Sequence, residues 1–250
     1  MNDAVLAAQL ATEAGALLRR AQTTAAPHEL GTQALKDRGD RESQTYLANA
    51  LARHRPDDHV LSEEAKDSSH RARAERVWII DPLDGTREFS EGRDDWAVHV
   101  ALWSGGELSV GAIALPGLDL VLSSSDPAPP WHPPKQLRLA VSRTRATATA
   151  EQLAKDLGAE LIPMGSAGYK VGAVVRGEAD AYVHTGGQYE WDSAAPVAVA
   201  RAAGLFTSRV NGEPLVYNNE DPYLPDLVVC NPCVADDLLE HITHTNSREN

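Results

Sequence analysis

The stretch Trp78-Ile79-Ile80-Asp81-Pro82-Leu83-Asp84-Gly85-Thr86 decides how this chain reads. An apolar, β-rich run ends abruptly at two carboxylates separated by proline and leucine, with Gly-Thr behind them. Short apolar runs bounded by turn signals are buried strands, and open α/β folds place ligands at the carboxyl ends of their strands. Two aspartates there add nothing to packing, and buried carboxylates without partners are strongly unfavourable. A hard cation such as Mg²⁺ resolves the conflict, because it takes oxygen ligands and leaves room for phosphate oxygens. Pro82 fixes φ and stiffens the turn. The Leu83 carbonyl, freed from strand pairing, is a further candidate ligand. Gly85 permits a tight backbone, and Thr86 opens a helix whose exposed amides would cradle a phosphate. The same residues are equally consistent with a plain strand-to-helix turn in which Asp84 caps the helix.

Two more acidic segments favour the metal reading. Val60-Leu61-Ser62-Glu63-Glu64 is another short apolar segment ending in carboxylates. Neighbouring side chains on a strand point to opposite faces, so only one of the two glutamates reaches a shared cation. Glu190-Trp191-Asp192-Ser193-Ala194-Ala195-Pro196 precedes an Ala/Val-rich stretch ending at Gly204. This predicts a helix with Asp192 at its N-cap, Pro196 in its first turn and Gly204 near its C-terminal cap. A carboxylate at the positive end of a helix stays ionised, which suits a ligand, although simple capping accounts for it equally well.

The rest of the chain bounds the possibilities. Its 250 residues, 42% hydrophobic and 24% charged, suit a soluble protein with a substantial core. No apolar run reaches membrane-spanning length, and the N-terminal residues read as an amphipathic helix rather than a signal peptide. A cytoplasmic location is expected. A net charge of −13 argues against a nucleic-acid polymer as partner, but not against a small phosphorylated substrate if bound metal supplies positive charge. Cys230 and Cys233 read as two reduced cysteines near a strand end.

Helices are predicted up to Arg20 and from about Arg41 to Arg53. Strands are predicted at Trp96–Trp103 and Glu107–Leu115, turning at 104–106. The Ser/Pro-dense run 123–134 divides the chain into an N-terminal α+β domain, 1–130, and a C-terminal α/β domain, 131–250. In the second half strands and helices alternate: 137–141, a helix at 149–157, 161–164, a helix at 167–176, and 179–183. Asn211-Gly212 marks a hairpin turn. His99 and His184 lack metal-ligand spacing and read as packing or surface residues.

Glu63, the Asp81-Pro-Leu-Asp84-Gly-Thr86 motif and Trp191-Asp192-Ser-Ala-Ala together resemble the inositol monophosphatase superfamily of Mg²⁺-dependent, lithium-sensitive phosphatases. The order and spacing match over nearly the whole chain. Leu-Ser-Glu-Glu, Asp-Pro-Leu-Asp-Gly-Thr-Arg-Glu-Phe and Gly-Ser-Ala-Gly-Tyr-Lys (165–170) look most like the CysQ branch of 3′-phosphoadenosine-5′-phosphate phosphatases, also called 3′(2′),5′-bisphosphate nucleotidases. The stretch 92–99 resembles actinobacterial members. The resemblance implies a layered αβαβα sandwich of the inositol monophosphatase/fructose bisphosphatase type and a homodimer. It implies that Glu63, Asp81, the Leu83 carbonyl, Asp84 and Asp192 hold two or three Mg²⁺ ions. Thr86 and an upstream aspartate would orient the attacking water. Asp40, in Lys36-Asp37-Arg38-Gly39-Asp40, occupies the aspartate's position, although the family's usual Pro-Val-Thr-x-Ala-Asp segment is altered; capping of the following helix is its other reading. Gly85, Thr86 and Ser166 would face phosphate, and Arg143 and Lys170 would hold the second phosphate of a nucleotide bisphosphate. The competing activities are inositol-1-phosphate or fructose-1,6-bisphosphate hydrolysis. Outside enzymes, the alternative is a catalytically silent phosphonucleotide sensor.

Overall fold

The computed structural model describes residues 1–68, 70–144 and 146–248. Two helices come first, α1 (Asp3–Thr23) and α2 (Gln33–His54). There follow β1 (His59–Ser62), β2 (Arg76–Asp84), the short α3 (Thr86–Ser90), β3 (Ala97–Ser104), β4 (Glu107–Leu115) and β5 (Leu120–Ser123). The second half contains β6 (Arg138–Ser142), α4 (Ala148–Leu157), β7 (Glu160–Met164), α5 (Ala167–Val175), β8 (Ala181–His184) and β9 (Gln188–Tyr189). It ends with α6 (Glu190–Ala202), β10 (Phe206–Ser208), β11 (Tyr223–Leu224), β12 (Leu227–Cys230) and α7 (Ala235–Arg248).

Two five-stranded sheets organise these elements. The first runs β1-β2-β3-β4-β5 and the second β10-β12-β8-β6-β7. Helices α1 and α2 cover the outer face of the first sheet, burying Leu6, Leu10, Leu18, Leu47 and Leu51 against Trp78, Ile80, Val98 and Val100. Helices α4 and α7 cover the outer face of the second, with Leu153, Leu238 and Ile242 against Leu139 and Val228. Between the sheets lie α5 and α6, whose Val171, Val174, Ala195 and Val199 share a core with Ile79 and Ile113 on one side and Tyr182 and Val229 on the other. The order is helix, sheet, helix, sheet, helix, and the central core draws on both halves of the chain. Both faces of each sheet are covered, so β2 and β12 read as unbroken apolar runs rather than alternating ones.

Three expectations need correction. Helix α2 begins at Gln33, capped by the Thr32 hydroxyl, rather than near Arg41. Asp40 therefore lies inside the helix and caps nothing. Helix α6 begins at Glu190, which moves Asp192 from the N-cap to the third helical position and puts Pro196 beyond the first turn. Asn211-Gly212 does form a turn, with Gly212 N–H donating to the Arg209 carbonyl, but no strand pair flanks it. Among the described residues no helix is long and apolar enough to cross a membrane.

Candidate active site

The central feature is an irregularity in β2. Its pairing with β3 runs regularly to Asp81 opposite His99, then resumes with Asp84 opposite Ala97. Three steps along β2 thus match two along β3, a β-bulge at Pro82-Leu83. In a regular strand residues three apart point to opposite faces. The extra residue reverses that parity and turns both aspartates to the same side, the way bulges commonly re-aim side chains beside sites. Proline suits this position because a bulged residue needs no ladder N–H. The Ser43 hydroxyl of α2 pins the Pro82 carbonyl at 2.7 Å. Asp81 Oδ1 accepts from Leu83 N–H at 2.9 Å.

Asp192, at the start of α6, completes an acidic triad. Oxygen atoms of Asp81, Asp84 and Asp192 all lie within 4.8 Å of one another. Asp192 is held by the Tyr189 N–H, which donates to its Oδ2 at 2.6 Å. Asp84 is held by the start of α5: the Ser166 hydroxyl donates at 2.5 Å, and the amides of Ala167 and Gly168 at 3.2 and 2.6 Å. Ser166 adopts φ 52°, ψ 145°, a costly backbone for a residue with a side chain. Its hydroxyl is doubly used there, also accepting from Tyr169 N–H.

Fully buried His99 joins the two ligand-bearing segments. Its Nδ1 lies 3.0 Å from the Trp191 carbonyl and its Nε2 3.2 Å from Asp84 Oδ2, a close charge contact without the alignment of a hydrogen bond. Gly168 makes room for it, since a Cβ there would fall 1.9 Å from Nε2. Nothing in the sequence separates a lone histidine in an apolar strand from a packing residue. The pairing of β3 with the bulge is what brings it to Asp84.

The electrostatics follow from this crowding. Burial, then the charges of Asp84, Glu63 and Asp192, push the Asp81 carboxyl well above the ordinary range. Burial and Asp84 raise Asp192 to about 6. For Asp84, burial opposes ionisation, but His99, the Ser166 hydroxyl and the Gly168 amide outweigh it and hold the carboxyl at about 2. Burial alone would lower the His99 pKa; its Asp84 neighbour raises it instead. Among the described residues no Lys or Arg forms an ion pair with any member of the triad. Convergent, hard, under-neutralised oxygen donors are the donor set a divalent cation such as Mg²⁺ fits.

The remaining predicted residues are placed differently from one another. Glu63 is exposed on the wall of the site cavity, outside the tight triad; crowding by protein, then Asp192, Glu64, Asp84 and Asp40, raises its carboxyl to about 7. Asp40 is raised to about 7 by burial and then Glu64, which places it on the Glu63–Glu64 side of the site. The Thr86 hydroxyl donates to the Leu83 carbonyl at 3.3 Å.

Gly85, Ser166 and Lys170 line, with the triad's Asp84 and Asp192, a cavity of about 520 Å³. Lys170 is 6% exposed, and its ammonium donates to the Ser166 and Gly165 carbonyls and sits 5.1 Å over the Tyr182 ring. Arg143 is placed differently. Its guanidinium is taken by Glu88 at 2.7 Å and Glu91 at 2.5 Å, and it does not line the cavity. Ser166, predicted to face phosphate, is likewise engaged: its hydroxyl and the Ala167 and Gly168 amides that follow all donate to Asp84. His184 lines the cavity, and its Nε2 lies 2.9 Å from the Gly187 carbonyl. Cys230 is buried and Cys233 exposed, both as free thiols.

Comparison with known proteins agrees with this architecture. The inositol monophosphatase family matches residues 2–245. A Mycobacterium leprae protein named 3′-phosphoadenosine 5′-phosphate phosphatase is 48% identical over 256 residues, covering 96% of this chain and 93% of its own. An Escherichia coli O157:H7 protein named 3′(2′),5′-bisphosphate nucleotidase CysQ is 28% identical, covering 86% of this chain and 94% of its own. Among solved structures, CysQ from Bacteroides thetaiotaomicron superposes with a TM-score of 0.79 at 26% identity, covering 92% of this chain and 97% of its own. With the bulged Asp-Pro-Leu-Asp segment, the Asp192 helix and the five layers all in place, this chain belongs to the inositol monophosphatase family.

Proposed function

We propose that this protein is a Mg²⁺-dependent phosphoric monoester hydrolase that removes the 3′-phosphate of 3′-phosphoadenosine 5′-phosphate, giving AMP and phosphate. One observation carries the reading: a largely buried, under-neutralised carboxylate triad, two of whose members line the same cavity as a buried lysine that no carboxylate pairs among the described residues. Such a site offers room for metal and phosphate at one end and a fixed positive charge for a second anionic group. The names of the mycobacterial and CysQ relatives point to the same substrate.

Asp81, Asp84, Asp192, Glu63 and the Leu83 carbonyl would hold the ions, two or three in number. Bound Mg²⁺ would polarise the phosphoryl oxygens, lower the pKa of a water and stabilise the departing alkoxide. The chain's own residues set the geometry. The bulge and the α5 amides fix where the carboxylates stand, and His99 ties Asp84 to the Trp191 carbonyl. Asp40 and Thr86 orient the water, and Lys170 faces the phosphate that is not cleaved. The 1–130 and 131–250 halves supply the two sides of the site. The protein works in the cytoplasm as a homodimer.

The test is phosphate release with Mg²⁺ from 3′-phosphoadenosine 5′-phosphate, inositol 1-phosphate and fructose 1,6-bisphosphate. The nucleotide is expected to have the highest kcat/KM. A preference for inositol phosphate or the sugar bisphosphate would overturn the assignment.

A further inference from the structure

Gln188 is the one polar side chain of the site cavity whose enclosed amide nitrogen has no partner among the described residues. It lies in β9, is 8% exposed, and lines the same cavity as Asp84 and Asp192. Its Nε2 is enclosed by protein and makes no hydrogen bond. Leaving a buried donor unsatisfied costs about 1–3 kcal/mol, and most such groups in folded proteins are satisfied. Turned toward the cavity that Gln188 lines, the amide would find on a ligand the partner its nitrogen lacks.

Its surroundings narrow the ligand. The backbone on either side of Gln188 is fixed: Gly187 N–H donates to the Pro225 carbonyl at 3.0 Å, and Tyr189 N–H donates to Asp192 Oδ2 at 2.6 Å. The Gln188 backbone is thus tied, one residue away, to a carboxylate of the acidic triad. Next to it Tyr189 stacks on Trp191, ring centroids 4.7 Å apart and planes within 12°, and Tyr223 meets Tyr189 edge-on at 6.1 Å. Tyr189 and Tyr223 remain 46% and 50% exposed, and Tyr189 and Trp191 line the cavity. Exposed rings beside a binding site suit a planar heterocycle, since stacking on aromatic side chains is worth about 1–3 kcal/mol per base. A carboxamide presents a donor and an acceptor side by side, the complement of adenine's 6-amino group and N7. A 6-oxo purine shows two acceptors on that edge, so one of the two bonds would be lost.

We propose that Gln188 reads the amino edge of an adenine ring held against the Tyr189–Trp191 wall, and thereby sets the base preference of the enzyme. This rests on the nucleotide bisphosphate reading above and adds to it the residue that distinguishes one base from another. Gln188 takes no part in the bond-breaking step.

The experiment compares kcat/KM for adenosine and inosine 3′,5′-bisphosphates in the wild type, Gln188→Ala and Gln188→Met. Methionine keeps most of the side-chain volume if alanine disturbs the fold. The wild type is expected to favour adenosine by about tenfold or more, the effect of a good bidentate base contact, and both variants to bring the ratio close to one. A merely structural role would lower both rates together and leave the ratio at its wild-type value, which would overturn the proposal. So would a wild type that turns over both nucleotides equally; the substrate reading would then stand without the base-reading residue. Failure to hydrolyse any nucleoside bisphosphate would remove both.

Discussion

Asp81→Asn is expected to abolish turnover, lowering kcat by about a thousandfold or more, while making the metal-free protein more stable. The activity loss would follow from removing a charge proposed to hold the ion, since a catalytic metal contributes several kcal/mol of transition-state stabilisation. The stability gain follows from the site's geometry. Asp81 is buried, its Oδ1 accepts the Leu83 amide at 2.9 Å, and asparagine can keep that bond in the same shape. What asparagine removes is a charge that burial and the Asp84, Glu63 and Asp192 carboxylates oppose.

A carboxyl whose pKa is higher folded than unfolded favours the fold only where it is protonated. Its contribution is fully present below the unfolded value and is lost as pH rises toward the folded one. Asp192 reaches about 6 and Glu63 about 7, so this cluster weakens the metal-free protein from roughly pH 4 upward. Relief by asparagine is therefore larger at pH 8 than at pH 5. At pH 8 a gain of roughly 1–2 kcal/mol corresponds to about 2–4 °C in Tm for a chain of this size. Calorimetry in chelator at both pH values reads it directly; a lower Tm at both would refute the account of the cluster. Asp84→Asn makes the contrast. Both oxygens of Asp84 accept from donors, so the NH₂ would face either the Ala167 amide or the Ser166 hydroxyl and Gly168 amide, and the variant should lose stability along with activity.

The second large effect is at Lys170. Lys170→Met is expected to raise KM for the nucleotide bisphosphate by about 10- to 100-fold, the range of one charge-assisted hydrogen bond. The effect on a monophosphate such as inositol 1-phosphate should be only a few-fold. Burial lowers the Lys170 pKa, while Asp84, Glu88, Asp95 and Asp192 counter it. Its hydrogen-bond partners are carbonyls, and among the described residues no carboxylate pairs with it, so the charge can meet an anion. Methionine keeps most of the side chain's length and removes the charge that sits over the Tyr182 ring. Steady-state kinetics on both substrates decide the matter, and equal KM changes would reject Lys170 as the holder of a second phosphate.

Much of this arrangement was legible because the strongest signals were local. The β3–β4 pair carries continuous β-formers around Ser-Gly-Gly, and β4 runs over Glu107–Leu115 as the sequence predicts. Asp81 and Asp84 were legible because carboxylates at an apolar strand end have no packing use, and Asp192 because it is an acid at a helix start. Helix α2 was misjudged at its start because residues 33–40 are polar and contain a glycine. Gly39 stands in the helix because the chain passes so close to Leu83 and Phe89 that a Cβ would lie 2.8 Å from both. That demand comes from tertiary packing and leaves no local trace.

Asp192 moved to the third helical position for a related reason: Glu190 is buried as a helical residue, accepting the amides of Asn218 and Asn219, which lie far along the chain. Arg143 reads as a phosphate ligand in sequence, but the fold sets it between Glu88 and Glu91. His99 and Gln188 carried no signal at all. Their significance depends on what stands around them, which only the β-bulge and the placement of β9 in the cavity wall supply.

If the carboxylate triad is a divalent-metal centre for 3′-phosphate hydrolysis, stripping the ion must silence the protein. The most direct measurement is phosphate release from 3′-phosphoadenosine 5′-phosphate by chelator-stripped protein, followed as Mg²⁺ is added back. No turnover is expected without the ion, saturable recovery with it, and no recovery in Asp81→Asn at the same Mg²⁺ concentrations. Full turnover in the presence of chelator, or recovery in the variant equal to the wild type, would contradict the metal-centre assignment.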